Sequence, residues 1–457
     1  MRSMDHLAEA DRRHVLHPAT SIGAHQEHGP DIIESGEGAW LIDGQGRRLF
    51  DAVGGLWCVQ VGYGRPELAD AMAASARRLG YYHTFGGASN PEQARLAERL
   101  AALAPKRLNR VFFGSGGSDA NDTLVKIVWQ YHALRGEPGR TKIIARKQAY
   151  HGTGVATASL TGLTSFHRQF NLPLPGFLHT TAPHYWRQGR PGEGEAAFVQ
   201  RLVQDLEALI EAEGAESIGA FIAEPIMGAG GVIPPPEGYF PAIQRVLRRH
   251  GILMIADEVV TGYGRTGAWF ASDHFDIQPD LMASAKGLTS GYFPMSAAFL
   301  SDAVFEVLRE GDKTLGNFAH GYTYSGHPVG AATALANLDL IEREGLVDNA
   351  REVGAYLHSI LAERLGDHPH VAEIRGLGLL AGVQLVQDKA SRQAFSPEAK
   401  IAAKVAGAAR RRGVIVRPLP SVDSLALSPP LIVTRADMDR VVEAIGGALG
   451  EVLAASD

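Results

Sequence analysis

Short apolar runs alternate with stretches of helical period through the middle of the chain. Residues 111–113, 142–145, 218–223, 252–256, 281–285 and 297–300 are brief and almost wholly apolar, as strands buried on both faces are. Between them Leu124, Ile127, Val128 and Tyr131 recur on one helical face until Gly136, and Phe240, Ile243 and Leu247 do so until Gly251. Pro91 starts an earlier helix with Leu96, Leu100 and Leu103 on its buried side. This alternation predicts an α/β domain built on a mostly parallel sheet covered on both faces.

The two ends read differently. Residues 39–50 form a hairpin pattern with its turn at Asp43-Gly44. Beyond about residue 335, long helical periods alternate with the glycine-rich apolar run 376–385. The expected organisation is a large domain over 61–330 and a small α+β domain assembled from 1–60 and 331–457.

Composition narrows the function classes. A chain of 457 residues that is 45% hydrophobic can bury a large core, and a formal net charge of -6 leaves no basic stripe for nucleic acid and no polybasic membrane patch. No window approaches a membrane span, and the polar N-terminus lacks a signal-like apolar segment, so the expected location is the cytoplasm. Cys58, the single cysteine, excludes an intramolecular disulfide and reads as a buried structural thiol. Five histidines fall in the first 28 residues: His6, His14, His17, His25 and His28. They lack cysteines or a two-histidine helix motif, so they read as solvated or interface residues, with no metal site.

Four segments carry candidate chemistry. In Phe113-Gly114-Ser115-Gly116-Gly117-Ser118 a strand runs through glycines into a helix, where free N–H groups suit a phosphate; the plainer alternative is a turn with Ser118 as N-cap. Asp257 and Glu258 stand at the carboxyl end of an apolar strand, the edge where α/β sheets bind ligands. A carboxylate there can hold a protonated pyridine nitrogen, or it can pair with Arg265. Lys286 closes the run 279–286 just before Gly287, an unusual place for a residue that normally sits on solvated faces, and partial desolvation would free its amine for Schiff-base chemistry. The hydroxyl-rich loop His320-Gly321-Tyr322-Thr323 precedes a small-residue helix and could add a phosphate ligand.

In this order and spacing the four segments resemble the class III aminotransferases, the branch of fold-type I pyridoxal 5'-phosphate enzymes that includes ω-amino-acid and amine:pyruvate transaminases. The resemblance runs from about residue 20 to the C-terminus. It implies that Lys286 carries the cofactor as a Schiff base and that Asp257 partners the pyridinium nitrogen. Val259 would cover one ring face and Tyr150 the other, with His151 and Glu224 close by. Gly117 and Ser118 would hold the phosphate, and Thr323 would reach the phosphate of a neighbouring subunit, making a homodimer with shared active sites. Trp57 and Phe85 match substrate-pocket aromatics, and Arg417 matches an arginine on a mobile loop that takes the substrate carboxylate. The implied reaction moves an amino group from a primary amine or ω-amino acid to a 2-oxo acid, with pyruvate the expected acceptor.

The chain departs from the family pattern in three places. Gly116 replaces a serine in the phosphate loop, and Val260 stands where several relatives have a glutamine that bonds the cofactor's phenolic oxygen. Two arginines, Arg375 and Arg417, compete for the carboxylate role, and the resemblance favours Arg417. On the same fold an aminomutase or decarboxylase shares the lysine and aspartate. A nicotinamide-dependent oxidoreductase using glycines 376–382 is a further alternative, though no βαβ unit surrounds them.

Overall fold

The computed structural model describes residues 4–105, 107–419 and 422–453. Strands β1 (Ile33–Glu37), β2 (Trp40–Asp43) and β3 (Arg48–Asp51) form an antiparallel meander near the N-terminus. The hairpin expected over 39–50 is present with a longer loop, because Asp43 folds it: its carboxylate accepts from the N–H groups of Gln45 and Arg47 and pairs with the Arg47 guanidinium.

The central sheet contains β4 (Leu108–Gly114), β5 (Lys142–Arg146), β6 (Phe177–Thr180), β7 (Ile218–Ala223), β8 (Leu253–Asp257), β9 (Leu281–Ser284) and β10 (Ser296–Ser301), in the order β4-β10-β9-β8-β7-β5-β6. β10 runs antiparallel to both neighbours, and the other pairings are parallel. Every residue of β7, β8, β9 and β10 is buried, which is why these strands read as unbroken apolar runs. β6 escaped the sequence pattern because His179 and Thr180 interrupt it.

The predicted helices lie against this sheet. Gly117–Leu134 buries Leu124, Ile127 and Val128, Tyr239–His250 ends at Gly251 in the left-handed region, and Pro91–Leu103 buries Leu96 and Leu100. Burial of such side chains, about 1.5–3 kcal/mol each, joins sheet and helices in two cores, one holding Leu96, Leu100 and Phe240 and the other Leu124, Ile127 and Val128.

The C-terminal strands are β11 (Val371–Leu377), β12 (Leu380–Leu385), β13 (Val414–Ile415), β14 (Arg417–Leu419) and β15 (Ser424–Leu427). Four form a sheet ordered β11-β12-β15-β14, while β13 crosses to pair with β3 in parallel, Phe50 opposite Val414 and Asp51 opposite Ile415. The glycine run 376–382 is the tip of the β11–β12 hairpin, with its turn at Gly378-Leu379. No helix follows it to receive a dinucleotide phosphate, so the nicotinamide alternative falls.

Candidate active site

The parallel strands deliver their carboxyl ends to one edge, and the register places the groups there. Asp257 pairs with Ala283 across β8 and β9, and Ala256 pairs with Ala223, so Lys286, Asp257 and Glu224 follow adjacent strand ends. Lys286 takes a left-handed backbone, φ 44°, a conformation costly for a side-chain-bearing residue and concentrated at functional sites. Protein surrounds the side chain, with part of its surface left open. Burial lowers the pKa of its amine; Asp257, Cys58 and Glu224 oppose that shift, and Arg417 adds to it. A neutral amine is the form that attacks carbonyls and carries protons.

Asp257 is 4% exposed, and it is tightly held. Its Oδ2 accepts from Asn121 Nδ2 at 2.8 Å and lies 2.8 Å from His151 Nδ1, while Oδ1 accepts from the Val259 N–H at 3.1 Å. The neighbouring acid has a different fate. Successive strand residues point to opposite faces, and Glu258 turns into the core, where it accepts from Thr261, Ser272 and the Ala271 N–H. Burial raises its pKa all the same. Arg265 does not pair with Asp257. Its guanidinium is fully buried against the carbonyls of Leu379 and Pro429, and desolvation depresses its pKa to about 9.

The glycine loop delivers the Gly117–Leu134 helix, whose N-cap is Gly116 rather than Ser118, and no side chain caps it. The open first-turn N–H groups and the helix dipole favour an anion. Nothing lies within 4 Å of where a Gly116 side chain would start, and a Cβ on Gly117 would meet a Val259 methyl at 2.9 Å. The cradle is therefore open above and walled by Val259. Ser118 Oγ accepts from the Thr153 N–H at 3.1 Å, tying the cradle to the loop that carries Tyr150 and His151.

Glu224 is buried and binds backbone: one carboxylate oxygen accepts from Tyr150 N–H at 3.2 Å, the other from Gly228 N–H at 2.8 Å. It braces two loops, and burial raises its pKa. Gly228 in turn supports Trp57, since a Cβ there would sit 2.6 Å from the indole ring. Trp57 is buried, and its N–H finds no partner. Arg417 lies over that ring, Cζ 5.6 Å from the centroid, and its buried Nε is also unpartnered. Desolvation lowers its pKa, and no carboxylate is among the causes. Arg417 starts strand β14 rather than sitting on a loop. Arg375 is committed elsewhere: it is buried, paired with Glu373 at 2.8 Å and donating to the carbonyls of Gly231 and Val232.

Phe85 and Thr323 occupy a different surface. Both are exposed, and their segments are bound to each other: Tyr81 Oη donates to Thr323 O at 2.7 Å, Thr84 to Ser325 O at 3.1 Å and Asn90 to Gly326 O at 2.9 Å. Phe85 packs on Gly321. Among the described residues, no hydrogen bond or ring contact links either one to Lys286, Asp257, Trp57 or Arg417. Cys58 is only partly buried, beside the lysine rather than deep in the core. His25 is buried rather than solvated, and it converges with His17 on Asp11, with ring centroids 4.4 Å apart. These three are the one group of side chains with metal-ligand spacing among the described residues.

Asn121 is the residue that sequence reading left without a role. Its signal was available: one helical turn after Gly117 and in phase with Leu124 and Val128, it puts an amide on an apolar stripe.

A protein-family model described as aminotransferase class-III matches residues 22–449. The chain belongs to the class III aminotransferases. It is 47% identical over 441 residues to an uncharacterized aminotransferase of Sinorhizobium fredii, covering 95% of this chain and 94% of that one. It is 43% identical over 450 residues to the diaminobutyrate–2-oxoglutarate transaminase of Halomonas elongata, covering 98% and 96%. The ω-transaminase of Pseudomonas jessenii, solved in complex with PMP, superposes with a TM-score of 0.96 at 45% identity, covering 98% of both chains. The class III aminotransferase is thus a fold-type I enzyme that uses pyridoxal phosphate, and the diaminobutyrate and gamma-aminobutyrate enzymes it resembles are transaminases. The residues fit that cofactor: an uncapped helix start, an enclosed amine with lowered pKa, and a carboxylate with a lone pair to spare converge on one edge.

Proposed function

We propose that this aminotransferase takes the amino group of a primary amine or ω-amino acid and passes it to pyruvate, in two half-reactions on one site. The observation that carries the acceptor side is Arg417, a guanidinium over Trp57 with a buried, unpartnered Nε and, among the described residues, no ion pair to a carboxylate. Such a donor suits the carboxylate of a 2-oxo acid. When no carboxylate is bound, Arg417 rests on the indole and leaves an aromatic wall for an apolar amine.

Bound pyridoxal phosphate supplies the electron-accepting ring on which carbon–hydrogen bonds adjacent to nitrogen become acidic. The chain supplies the rest. Lys286 anchors the cofactor and then moves a proton between donor carbon and cofactor. Asp257 holds the ring nitrogen protonated, with His151 and Asn121 behind it. Gly117 and Ser118 hold the phosphate at the helix start, Val259 and Tyr150 flank the ring, and Glu224 keeps Tyr150 and the Trp57 support in place. Phe85 and Thr323 are assigned to a neighbouring copy: their exposed patch with Tyr81, Tyr82 and Tyr324 is the kind of surface a homodimer covers, and it brings both residues to the partner's site. Cytoplasmic residence accords with the free Cys58, and no helix among the described residues is long and apolar enough to cross a membrane.

The test is a donor panel with pyruvate, read as alanine formed. Alanine from at least one amine supports the reading; none with pyruvate but glutamate with 2-oxoglutarate would overturn the acceptor assignment.

A further inference from the structure

Asn121 links three parts of the site. It stands on the helix whose first turn forms the phosphate cradle, it touches the loop of Tyr150 and His151, and it reaches the end of β8. Its side chain is fully enclosed, at 1% exposure. Nδ2 donates to Asp257 Oδ2 at 2.8 Å and to the His151 carbonyl at 2.9 Å. Both acceptors lack protons, so only the amide nitrogen can face them, and the amide is held in one orientation. Its Oδ1 is left buried with no partner, an unfavourable arrangement that an aliphatic residue would avoid. What the amide contributes is therefore the nitrogen.

The effect falls on Asp257. His151 Nδ1 also meets Oδ2 at 2.8 Å, and because an ionised carboxylate only accepts, the Nδ1 carries the proton. Oδ2 is thus held by two donors, whereas Oδ1 has a single backbone bond from Val259. Two donors on one oxygen fix the carboxylate's rotation.

We infer that Asn121 is a positioning residue that acts through Asp257 to hold the cofactor's ring nitrogen protonated. The inference rests on the cofactor roles proposed for Lys286 and Asp257. Asn121→Leu fills the same space and removes the two N–H bonds of Asn121 to Asp257 and the His151 carbonyl, leaving His151 Nδ1 on Oδ2. Asn121→Asp keeps the shape but can donate only when the two carboxylates share a proton, so its behaviour must depend on pH.

Both variants are purified with pyridoxal phosphate, and their visible absorption is titrated beside the wild type. For Asn121→Leu the expected result is a melting temperature close to wild type, a midpoint of the cofactor band displaced by about one pH unit, and kcat lowered about 10- to 100-fold with little change in donor KM. For Asn121→Asp, band and turnover approach wild type at the acidic end and fall away at the alkaline end. If Asn121→Leu does not fold, the pH dependence of Asn121→Asp decides alone. Variants whose bands titrate like wild type overturn the inference while leaving the cofactor reading intact. A wild type that takes up no pyridoxal phosphate overturns both.

Discussion

Two regions carry candidate functional residues, and they are built on opposite plans. At the carboxyl edge of the central sheet each group is buried and braced from several segments: Asp257 by Asn121, His151 and Val259, and Glu224 by two backbone N–H groups. The surface formed by the 81–90 and 318–326 segments is equally well tied within itself, yet Tyr81, Tyr82, Phe85 and Tyr324 face outward. The braces of the first region all come from one chain. The second has its polar bonds made and its apolar faces uncovered, the feature on which its assignment to a partner chain is proposed.

Substitutions at the sheet edge should be the harshest. Lys286→Ala removes the amine proposed to move the proton, so turnover should fall by about 10⁴-fold, with loss of the visible band in an absorbance scan. Gly228→Ala drives a methyl into the buried Trp57 ring. It should cost about 1–3 kcal/mol of stability by thermal unfolding and narrow the range of donors. Arg417→Ala should lower kcat/KM for pyruvate by about 10- to 100-fold, the loss of a charged hydrogen bond of about 1.5–3 kcal/mol, with little effect on an apolar amine.

The outer surface predicts a smaller, concentration-dependent effect. Tyr324→Asp places a charge on the apolar patch and should weaken self-association by about tenfold, near 1.4 kcal/mol, measured by sedimentation. An unchanged association constant would detach this surface from any dimer. The mildest test is electrostatic. Without cofactor, Lys286 should be acylated with a midpoint below the ordinary lysine value, because burial favours its neutral form. Arg417 lowers the same pKa, so Arg417→Gln should shift that midpoint upward.

The central sheet was legible because full burial writes strands as apolar runs, and glycine or proline marked the helix ends. β6 was not, since polar residues share it. The sequence placed Asp257 and Glu258 together at a strand end; the alternation of side chains separates them, one into the site and one into the core. Neither the brace from Asn121 nor the meeting of His17 and His25 on Asp11 can be read from spacing, because both depend on elements packed from distant segments. Phe85 was assigned to the pocket by resemblance, and only the packing of its segment against Gly321 shows which surface it shares.

The pairing of β3 with β13 sets an order on synthesis. All seven strands of the sheet that bears Asp257 and Lys286 lie before residue 302, so a growing chain can pair them once residue 301 has emerged, and Asn337 later closes on the Gly287 and Leu288 carbonyls behind the lysine. Trp57 and Arg417 lie just past the two strands of that pair, and the Ser428 hydroxyl closes the same junction on the Val53 carbonyl across 375 residues. The wall formed by Trp57 and Arg417 must therefore wait until residue 428 has left the ribosome, and its N-terminal half spends that interval without its partner.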